Sequence, residues 1–478
     1  MKTVFQAILA VFCLISHLQS EAVAEATKKA ASRPNIVFLL SDDQRPDTIG
    51  ALGNSVIKTP HLDQLVKQGT SFTRAVCANP ICTPSRAEIL TGVSGFHNGS
   101  MDFGKPIKPE LPTWSQTMHK AGYHSWYVGK WHNDGKPVIR GYDETLGLFT
   151  GGGGRWAVPS YDGNGLLVTG YRGWIFQDDK RNMFPQKGVG LSSNISEHFA
   201  DAAIEFIERK HTQPYFLHVC FTAPHDPLLM PIGYEQYYNP DQIPVPANFQ
   251  PEHPFDHGNF DGRDERLLPW PRTKKIVQND LSLYYSVVSH LDAQVGRIVD
   301  ALKKSGQWEN TILIYSSDHG LAMGSHGLRG KQNMYEHTVG VPLIMVGPGI
   351  PADKRSAAQC YLRDLYPTSC DLAGVPIPQT VEGKSLKPVL TGDKKAIYDE
   401  VYCYFRNAQR MIRTDRWKLI VYPHLNRVQL FDLKQDPLEQ HDLSEDAQYL
   451  QTRDVLHRKL NAWRKQQNDA SLVSAKSS

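Results

Sequence analysis

The sequence lacks several features that would place a protein in a class at once. Beyond the N-terminal segment, no apolar run approaches the ~20 residues of a membrane-spanning helix, so we expect no membrane span. The formal net charge is only +3, and no global basic field indicates a nucleic-acid partner. No Cys-x-x-Cys pair is present, which disfavours a zinc or redox pair. No internal repeat or low-complexity tract occurs.

Cysteine is also scarce, with seven residues in a chain of 478. They are scattered, which differs from the dense disulfide framework of a small secreted domain. One or two bridges are compatible with this spacing, and the sequence does not determine the pairing. The cysteines are Cys13, Cys77, Cys82, Cys220, Cys360, Cys370 and Cys403.

The N-terminus has the pattern of a secretory signal. Lys2 supplies a positive charge, residues 4–18 form an apolar stretch, and Ala22-Val23-Ala24 is a small-residue cleavage site. We therefore predict a signal peptide over residues 1–24 and a flexible leader over residues 25–34. The protein is expected to be exported, either to a periplasm or as a secreted protein.

The sequence does contain a series of short, nearly continuous apolar runs. Because they are rich in β-branched and aromatic residues and alternate with helical segments, we predict an α/β fold with a large, mostly parallel sheet flanked by helices. Four of the five runs are followed by Asp, His or Lys, and ligands of such sheets bind beyond the carboxyl ends of the strands. The runs are 35–41, 123–128, 215–221, 311–316 and 341–346, and the helical segments are 59–68, 114–121, 196–209 and 278–304.

Two long connections and a change of pattern near residue 376 complete the organisation. The connections, 151–190 and 226–272, are rich in aromatic residues and either form functional walls or merely cover the sheet. After Pro376, apolar and polar residues alternate as in antiparallel strands. We predict a catalytic domain over 35–380, a smaller C-terminal α+β subdomain with an antiparallel sheet over 381–470, and a disordered tail over 471–478.

The stretch Cys82-Thr83-Pro84-Ser85-Arg86 is the most informative in the chain. We predict a helix start here, with Thr83 as the cap and Pro84 at the first helical position, so that Cys82 lies just outside the helix. Arg86 would then oppose the helix dipole in the first turn, which indicates a strong negative partner. The prediction is an anion site with a cysteine at its mouth; the alternative is a buried free cysteine beside a proline turn.

Two acidic pairs, Asp42-Asp43 and Asp318-His319, each follow a predicted strand. Carboxylates that share one site repel each other unless a cation or a proton neutralises them, and a cluster of oxygen ligands suits Ca²⁺ or Mg²⁺. Taken singly, either pair is also typical of a helix cap or a solvated turn. Together with Cys82 they indicate a divalent-metal site.

The motif that runs from Cys82 to Arg86 and on to Leu90-Thr91-Gly92 resembles the signature of the type I sulfatases. The resemblance implies an alkaline-phosphatase-like fold and oxidation of Cys82 to formylglycine by a formylglycine-generating or sulfatase-maturing enzyme. It also implies one divalent cation, Ca²⁺ in preference to Mg²⁺. His319 replaces the asparagine of many members and resembles the iduronate-2-sulfatase and choline-sulfatase-like branches. The metal ligands implied are Asp42, Asp43, Cys82, Asp318 and His319.

The same resemblance implies the catalytic residues. Gly129-Lys130-Trp131-His132 looks like the second signature of the family, and His225 and Lys331 match further substrate-contacting positions. In this scheme His225, helped by Lys331, is the general acid, and His132 is the base that regenerates the aldehyde. The catalytic set is Cys82, Arg86, Lys130, His132, His225 and Lys331.

The function expected is that of a sulfuric ester hydrolase acting on a sulfated saccharide in polysaccharide degradation. Aromatic side chains of the long connections would stack on sugar rings, and Arg155 and Arg172 would meet further anionic groups. A small aryl or choline sulfate is the alternative substrate. The alternative functions are phosphate or phosphonate ester hydrolysis and non-catalytic binding of a sulfated glycan.

Overall fold

The computed structural model describes residues 33–149, 161–163, 165, 167–168, 171, 173–188 and 190–474. The predicted signal peptide, residues 25–32 of the predicted leader, Arg155, Arg172 and residues 475–478 of the predicted tail lie outside this part of the chain. Within the described residues, no helix has both the length and the apolar character needed to cross a membrane.

Strands and helices alternate through the first 375 residues, and strands then dominate up to a final long helix. The strands are β1 Asn35–Ser41, β2 Thr70–Phe72, β3 Ala75–Val76, β4 His124–Lys130, β5 Glu144–Phe149, β6 Gln177–Asp178, β7 Tyr215–Cys220, β8 Thr311–Ser317, β9 Leu343–Val346, β10 Lys354–Ser356, β11 Cys360–Tyr361, β12 Val401–Phe405, β13 Gln409–Arg413, β14 Trp417–Tyr422 and β15 Arg427–Asp432. The α-helices are α1 Pro60–Gln68, α2 Cys82–Thr91, α3 Gly95–Asn98, α4 Trp114–Lys120, α5 Ile195–Glu208, α6 Lys274–Lys304, α7 Glu336–Val339, α8 Leu365–Leu372, α9 Lys387–Leu390, α10 Leu450–Gln466 and α11 Ser471–Ser474.

A nine-stranded sheet forms the centre of the protein, in the order β10-β2-β9-β8-β1-β7-β4-β5-β6. Strands β8, β1, β7, β4 and β5 are parallel to one another. Strand β9 runs antiparallel to both of its neighbours, β8 and β2, and β6 runs antiparallel to β5. The sheet is therefore mostly parallel, as predicted.

The continuous apolar sequence of β1 follows from burial on both faces of the sheet. Phe38 packs with Trp114 in the core on one face, whereas Leu39 packs with Phe199 and Leu291 in the core on the other. Successive side chains of a strand point to opposite faces, so a strand covered by helices on both sides needs apolar residues at every position.

The C-terminal strands form a separate antiparallel sheet, β12-β13-β14-β15. Its alternating sequence reflects two different partners. Ile412 packs with Leu456 of α10 on one face, while its neighbour Met411 packs with Ile81 and Met334 of the first part of the chain on the other. The predicted α+β arrangement of this region is confirmed, and the boundary at residues 380/381 stays a prediction.

Two local expectations differ from the structure. The alternating run 411–422 reads in the sequence as one antiparallel strand, but it is divided between β13 and β14, because the chain turns at Thr414, whose hydroxyl accepts the N–H of Trp417 at 2.9 Å. The segment that begins at residue 471 opens with the helical turn Ser471–Ser474.

Candidate active site

The carboxyl ends of neighbouring parallel strands bring the two acidic pairs together. Ser41 and Ser317 are paired at the ends of β1 and β8, so Asp42 and Asp318 leave the sheet side by side. The backbone N–H of Asp43 donates to Oδ1 of Asp318 at 3.2 Å. Asp42, Asp43, Asp318 and His319 are all fully buried. The strand register thus places three carboxyl groups and an imidazole at one point.

Cys82 lies at this point as the first residue of α2. Its Sγ is 3.6 Å from Oδ1 of Asp42, 3.3 Å from Nε2 of His319 and 3.4 Å from Nζ of Lys331. Burial and Asp42 raise the pKa of the thiol, but Lys130 and Lys331 outweigh them and lower it to about 6. The pattern around Cys82 is that of an anion site.

The predicted capping of this helix is wrong in its details. The residue before the helix is Ile81, which makes no side-chain cap, and the N–H of Ser85 donates to its carbonyl at 3.0 Å. Thr83 is therefore the second helical residue and Pro84 the third. The hydroxyl of Ser85 instead donates to the carbonyl of Asp318 at 2.6 Å, which ties the helix start to the end of β8.

Arg86 has the strong negative partners that its position in the helix predicted. Its Nε donates to Asp318 and its Nη2 to Asp42, each at 3.0 Å, and its Nη1 donates to the carbonyl of Lys130 at 3.1 Å. The side chain is 3% exposed, and the two carboxylates raise the pKa of its guanidinium well above the usual value although burial lowers it. Arg86 is a buried bridge between the two acidic strand ends.

Two lysines complete the charge balance. Lys130, the last residue of β4, pairs with Asp42, and Lys331 pairs with Asp43 at 2.8 Å. Burial raises the pKa of Asp42, but Lys130 and Arg86 outweigh it and hold that pKa well below the usual value. Arg86, Lys130 and Lys331 thus each lie against at least one of the three carboxylates.

The donor groups fit a divalent cation. Asp42, Asp43, Cys82 and His319 each offer a ligand atom, and these atoms all lie within 4.8 Å of one another. Burial raises the pKa of Asp43 to about 7 despite Lys331 and His319, so this carboxylate needs a further positive charge to remain ionised. Buried, clustered carboxylates of this kind are the ligands of hard cations.

Asp318 lies beside this group of four. Its Oδ1 accepts the backbone N–H groups of Asp43 and His319 at 3.2 and 3.0 Å, and its Oδ2 accepts from Arg86. Its oxygens are therefore already engaged by donors, and its role as a metal ligand stays a prediction.

The two predicted catalytic histidines lie in the same cavity as Cys82. It has a volume of about 600 Å³, and His132, His225 and Lys331 line it. Nδ1 of His225 is 2.6 Å from the backbone carbonyl of Asp226 and 3.3 Å from Oδ1 of the same residue. Burial, reinforced by Lys130 and Arg86, lowers the pKa of His132 well below its usual value. His132 is thus a neutral imidazole.

Part of the cavity wall was not predicted from the sequence. Arg263 comes from the connection 226–272, Arg406 from the turn between β12 and β13, and Phe103 from the loop after α3. Tyr171 lies on the connection 151–190, and its hydroxyl accepts from Nζ of Lys130 at 2.8 Å. The sequence placed Tyr171 among the aromatic residues of a connection that forms a wall or covers the sheet, but nothing in the spacing identified Phe103, Arg263 or Arg406.

The disulfide question is answered for the described cysteines. Cys77, Cys82, Cys220, Cys360, Cys370 and Cys403 are all free and buried. None of the bridges that the sequence left open is present among them.

Comparison with known proteins gives this geometry its class. The family model Sulfatase matches residues 34–375, and the model for the C-terminal region of N-sulphoglucosamine sulphohydrolase matches residues 324–466. The fold is alkaline-phosphatase-like, and the chain belongs to the sulfatase family. It is a sulfuric ester hydrolase, an enzyme that removes sulfate from organic sulfate esters; members of the family use a formylglycine and a divalent cation.

Relatives with assigned activities support this class over almost their whole length. An arylsulfatase of Clostridium perfringens is 29% identical over 455 residues, which cover 89% of this chain and 93% of the relative. An N-acetylglucosamine-6-O-sulfatase of Bacteroides thetaiotaomicron is 27% identical, with 95% and 90% covered. A choline-sulfatase of Rhizobium meliloti is 26% identical, with 87% and 83% covered.

Solved structures show the same architecture. BT4656 in complex with its substrate D-glucosamine-2-N,6-O-disulfate superposes with a TM-score of 0.76 at 25% identity, covering 92% of this chain and 99% of that chain. A phosphonate monoester hydrolase from Silicibacter pomeroyi superposes with a TM-score of 0.74 at 23% identity, covering 92% and 97%. The second likeness is one of fold alone.

Proposed function

We propose that Cys82 is converted to formylglycine and supplies the nucleophile of this sulfatase. The observation that carries the proposal is the position of its Sγ, which lies at the cavity within 3.6 Å of Asp42, His319 and Lys331. That sulfur stands where the oxygens of the hydrated aldehyde would be. An aldehyde hydrate supplies one hydroxyl for attack on sulfur and a second through which the aldehyde is regenerated.

The other catalytic residues proposed are Arg86, Lys130, His132, His225 and Lys331. The cations offset the negative charge of a sulfate ester, which otherwise repels a nucleophile, through charge-assisted hydrogen bonds. His225 is the proposed general acid for the leaving alcohol, since its Nδ1 is fixed by Asp226 and its Nε2 is turned toward the site, 3.8 Å from Asp43. His132 is the proposed base, because its imidazole lines the same cavity as Cys82.

We propose that Asp42, Asp43, position 82, Asp318 and His319 hold one Ca²⁺, with Mg²⁺ the less suitable ion. Support comes from the carboxylate-rich donor set, whose ligand atoms lie within 4.8 Å of one another, because Ca²⁺ accepts many protein oxygens in a flexible geometry whereas Mg²⁺ demands a near-ideal octahedron and few protein ligands. When bound, the ion supplies positive charge beside the sulfuryl oxygens. Elemental analysis of the purified enzyme identifies the metal. We expect one calcium ion per protein molecule, and zinc or magnesium in its place would contradict the proposal.

The modification can be tested directly. After denaturation, the mature enzyme should show alkylatable thiols at the other five described cysteines but none at Cys82. Cys82→Ala should have no sulfatase activity while it still binds the metal ion, and Cys370→Ala, a buried thiol outside the cavity, should remain active. Fully active enzyme that carries an ordinary cysteine at position 82 would contradict the proposal.

A maturing enzyme is the proposed partner, and it must act before the chain folds. All ten residues from Cys82 to Thr91 are buried, so a modifying enzyme cannot reach the motif in the folded protein. Conversion during synthesis or export fits the proposed signal peptide over residues 1–24 and a periplasmic or secreted location. Refolded but unmodified protein should therefore remain inactive when the maturing enzyme is added afterwards.

The proposed substrate is a sulfated saccharide, in the context of polysaccharide degradation. The cavity volume of about 600 Å³ suits a ligand of sugar size, and Phe103 and Trp174 offer aromatic faces among polar side chains. Two similar proteins, the N-acetylglucosamine-6-O-sulfatase and BT4656 with its substrate D-glucosamine-2-N,6-O-disulfate, support the same choice. Sulfate release should be measured on sulfated mono- and oligosaccharides, choline sulfate, an aryl sulfate and an aryl phosphonate; turnover restricted to the last three would contradict the saccharide proposal.

A further inference from the structure

The segment around Tyr171 places an unassigned hydroxyl beside the proposed sulfate-binding cations. Tyr171 is 6% exposed and lines the cavity together with Cys82 and Lys331. Its hydroxyl oxygen accepts a hydrogen bond from Nζ of Lys130 at 2.8 Å, and Lys130 also pairs with Asp42. The hydroxyl is therefore tied to the same ammonium group that faces the reacting position.

This arrangement leaves the hydrogen of the hydroxyl unused. A tyrosine hydroxyl can accept hydrogen bonds and donate one, whereas a lysine ammonium can only donate. Within the described ranges, Lys130 is the one hydrogen-bond partner of the Tyr171 hydroxyl, and it is a donor, so no protein acceptor is assigned to the O–H. Burial raises the pKa of Tyr171 well above its usual value, and Asp42 and Cys82 add to the effect, so the group keeps its proton.

The neighbouring ring of Trp174 belongs to the same cavity wall. Trp174 is 3% exposed and lines the cavity. Its ring packs edge-on against Tyr171, with 4.5 Å between ring centroids. Because buried polar groups are almost always paired, the unused O–H of Tyr171 at this wall indicates that a ligand with an acceptor oxygen supplies its partner.

The backbone of this segment is unusual as well. Tyr171 has φ +61°, the left-handed region, which is strained for a bulky residue, and its carbonyl accepts the N–H groups of Gly173 and Trp174 at 3.0 and 3.2 Å. Strain of this kind persists where the surroundings hold a side chain in place, and it concentrates at functional sites. The ring of Tyr171 also lies edge-on to His225, with centroids 5.1 Å apart.

We propose that Tyr171 is a further substrate-binding residue that donates its O–H to a sulfuryl oxygen next to Lys130, and that Trp174 holds the ring of Tyr171 in place. The inference rests on the proposed function, because it needs the sulfate to lie between Cys82 and Lys130. A sulfuryl group has several oxygens that can accept, and Lys130 and Tyr171 would bind neighbouring ones.

Tyr171→Phe is the decisive variant, because it keeps the ring and its contact with His225 and removes only the hydroxyl. Loss of a hydrogen bond to an anion should lower kcat/KM for 4-nitrophenyl sulfate about 10- to 100-fold and weaken inhibition by inorganic sulfate by a similar factor. Trp174→Phe should give a smaller loss in both measurements. Tyr449→Phe, a tyrosine that packs on Trp417 in the C-terminal region, is the matched control and should leave both values unchanged.

The outcomes separate three cases. Loss of both kcat/KM and sulfate inhibition in Tyr171→Phe, with an unchanged melting temperature, supports the proposal. Loss of kcat/KM with unchanged sulfate inhibition overturns it, since the hydroxyl would then act only by positioning Lys130, from which it accepts a hydrogen bond. Activity of Tyr171→Phe within twofold of the wild type also overturns it. Residual turnover in Cys82→Ala would instead refute the proposed function on which the inference rests.

Discussion

Replacement of Arg86 by alanine is expected to destabilise the fold as well as the site. Its guanidinium bridges Asp42 and Asp318 in a fully buried environment. Asp42 keeps Lys130 as a partner when Arg86 is removed, whereas Asp318 loses its guanidinium and keeps two backbone N–H groups and the imidazole of His319, 3.7 Å away. The expected cost is that of breaking a buried ion pair by removal of one partner, about 3–5 kcal/mol in the free energy of unfolding.

A double-mutant cycle isolates that cost. Asp318→Asn removes the charge that Arg86→Ala leaves unpaired, so the double variant should be less destabilised than the sum of the single variants by about 1–3 kcal/mol. The measurement is the midpoint of urea unfolding in calcium-free buffer, followed by tryptophan fluorescence. Saturating calcium should reduce the loss of unfolding free energy in Arg86→Ala, because the ion supplies positive charge to the same carboxylates.

The control for this series is Arg266→Ala. Arg266 pairs with Asp261 at the surface, where the two side chains are 62% and 85% exposed, and exposed pairs contribute little. Its unfolding midpoint should match that of the wild type. Equal midpoints for Arg86→Ala and Arg266→Ala, or strict additivity in the cycle with Asp318→Asn, would refute the reasoning.

Two further predictions concern other parts of the framework. Burial raises the pKa of Asp292 to about 6, so this group stabilises the fold below about pH 4, and the contribution disappears as the pH rises through 6. The stability of Asp292→Asn relative to the wild type should therefore rise by about 2 kcal/mol between pH 4 and pH 8 in urea unfolding. A difference that stays constant with pH would contradict this. Gly129→Ala should lose about 3 kcal/mol of stability, because φ is +94° and a Cβ would lie 1.9 Å from the carbonyl oxygen of Cys220. It should also lose most activity, because residue 129 directly precedes Lys130. Thermal melting and kcat/KM measure both effects, and wild-type values would refute the prediction.

Much of the central sheet was predictable because its signal is local. A strand that helices cover on both faces must be apolar at every position, and the run 35–41 carries that pattern without interruption. The run 341–346 carries the same pattern, yet β9 is antiparallel to β8, so its carboxyl end lies at the opposite edge of the sheet. Strand direction depends on the connection and the partner, which the apolar pattern does not encode.

The start of α2 also shows, for single residues, which features the local sequence predicts and which depend on tertiary contacts. The prediction that Cys82 and Arg86 belong to an anion site rests on residue types at a helix start, which constrain the local charge, and the structure places Arg86 against Asp42 and Asp318. The capping roles expected of Thr83 and Pro84 were wrong, since the extended backbone of Ile81 and the contact of Ser85 with Asp318 move the helix start to Cys82.

The amino-acid order alone determined the alternating elements, the side chains that follow each strand and the cysteine motif, because these are properties of neighbouring residues. Only the tertiary structure determined which segments of the chain form the walls of the cavity around Cys82. Arg406 reaches the cavity from the C-terminal sheet, and Tyr171 binds Lys130 from a connection 41 residues further along the chain. Such contacts arise from the packing of distant segments against one another, and the free energy that selects them has no counterpart in the spacing of residues along the sequence.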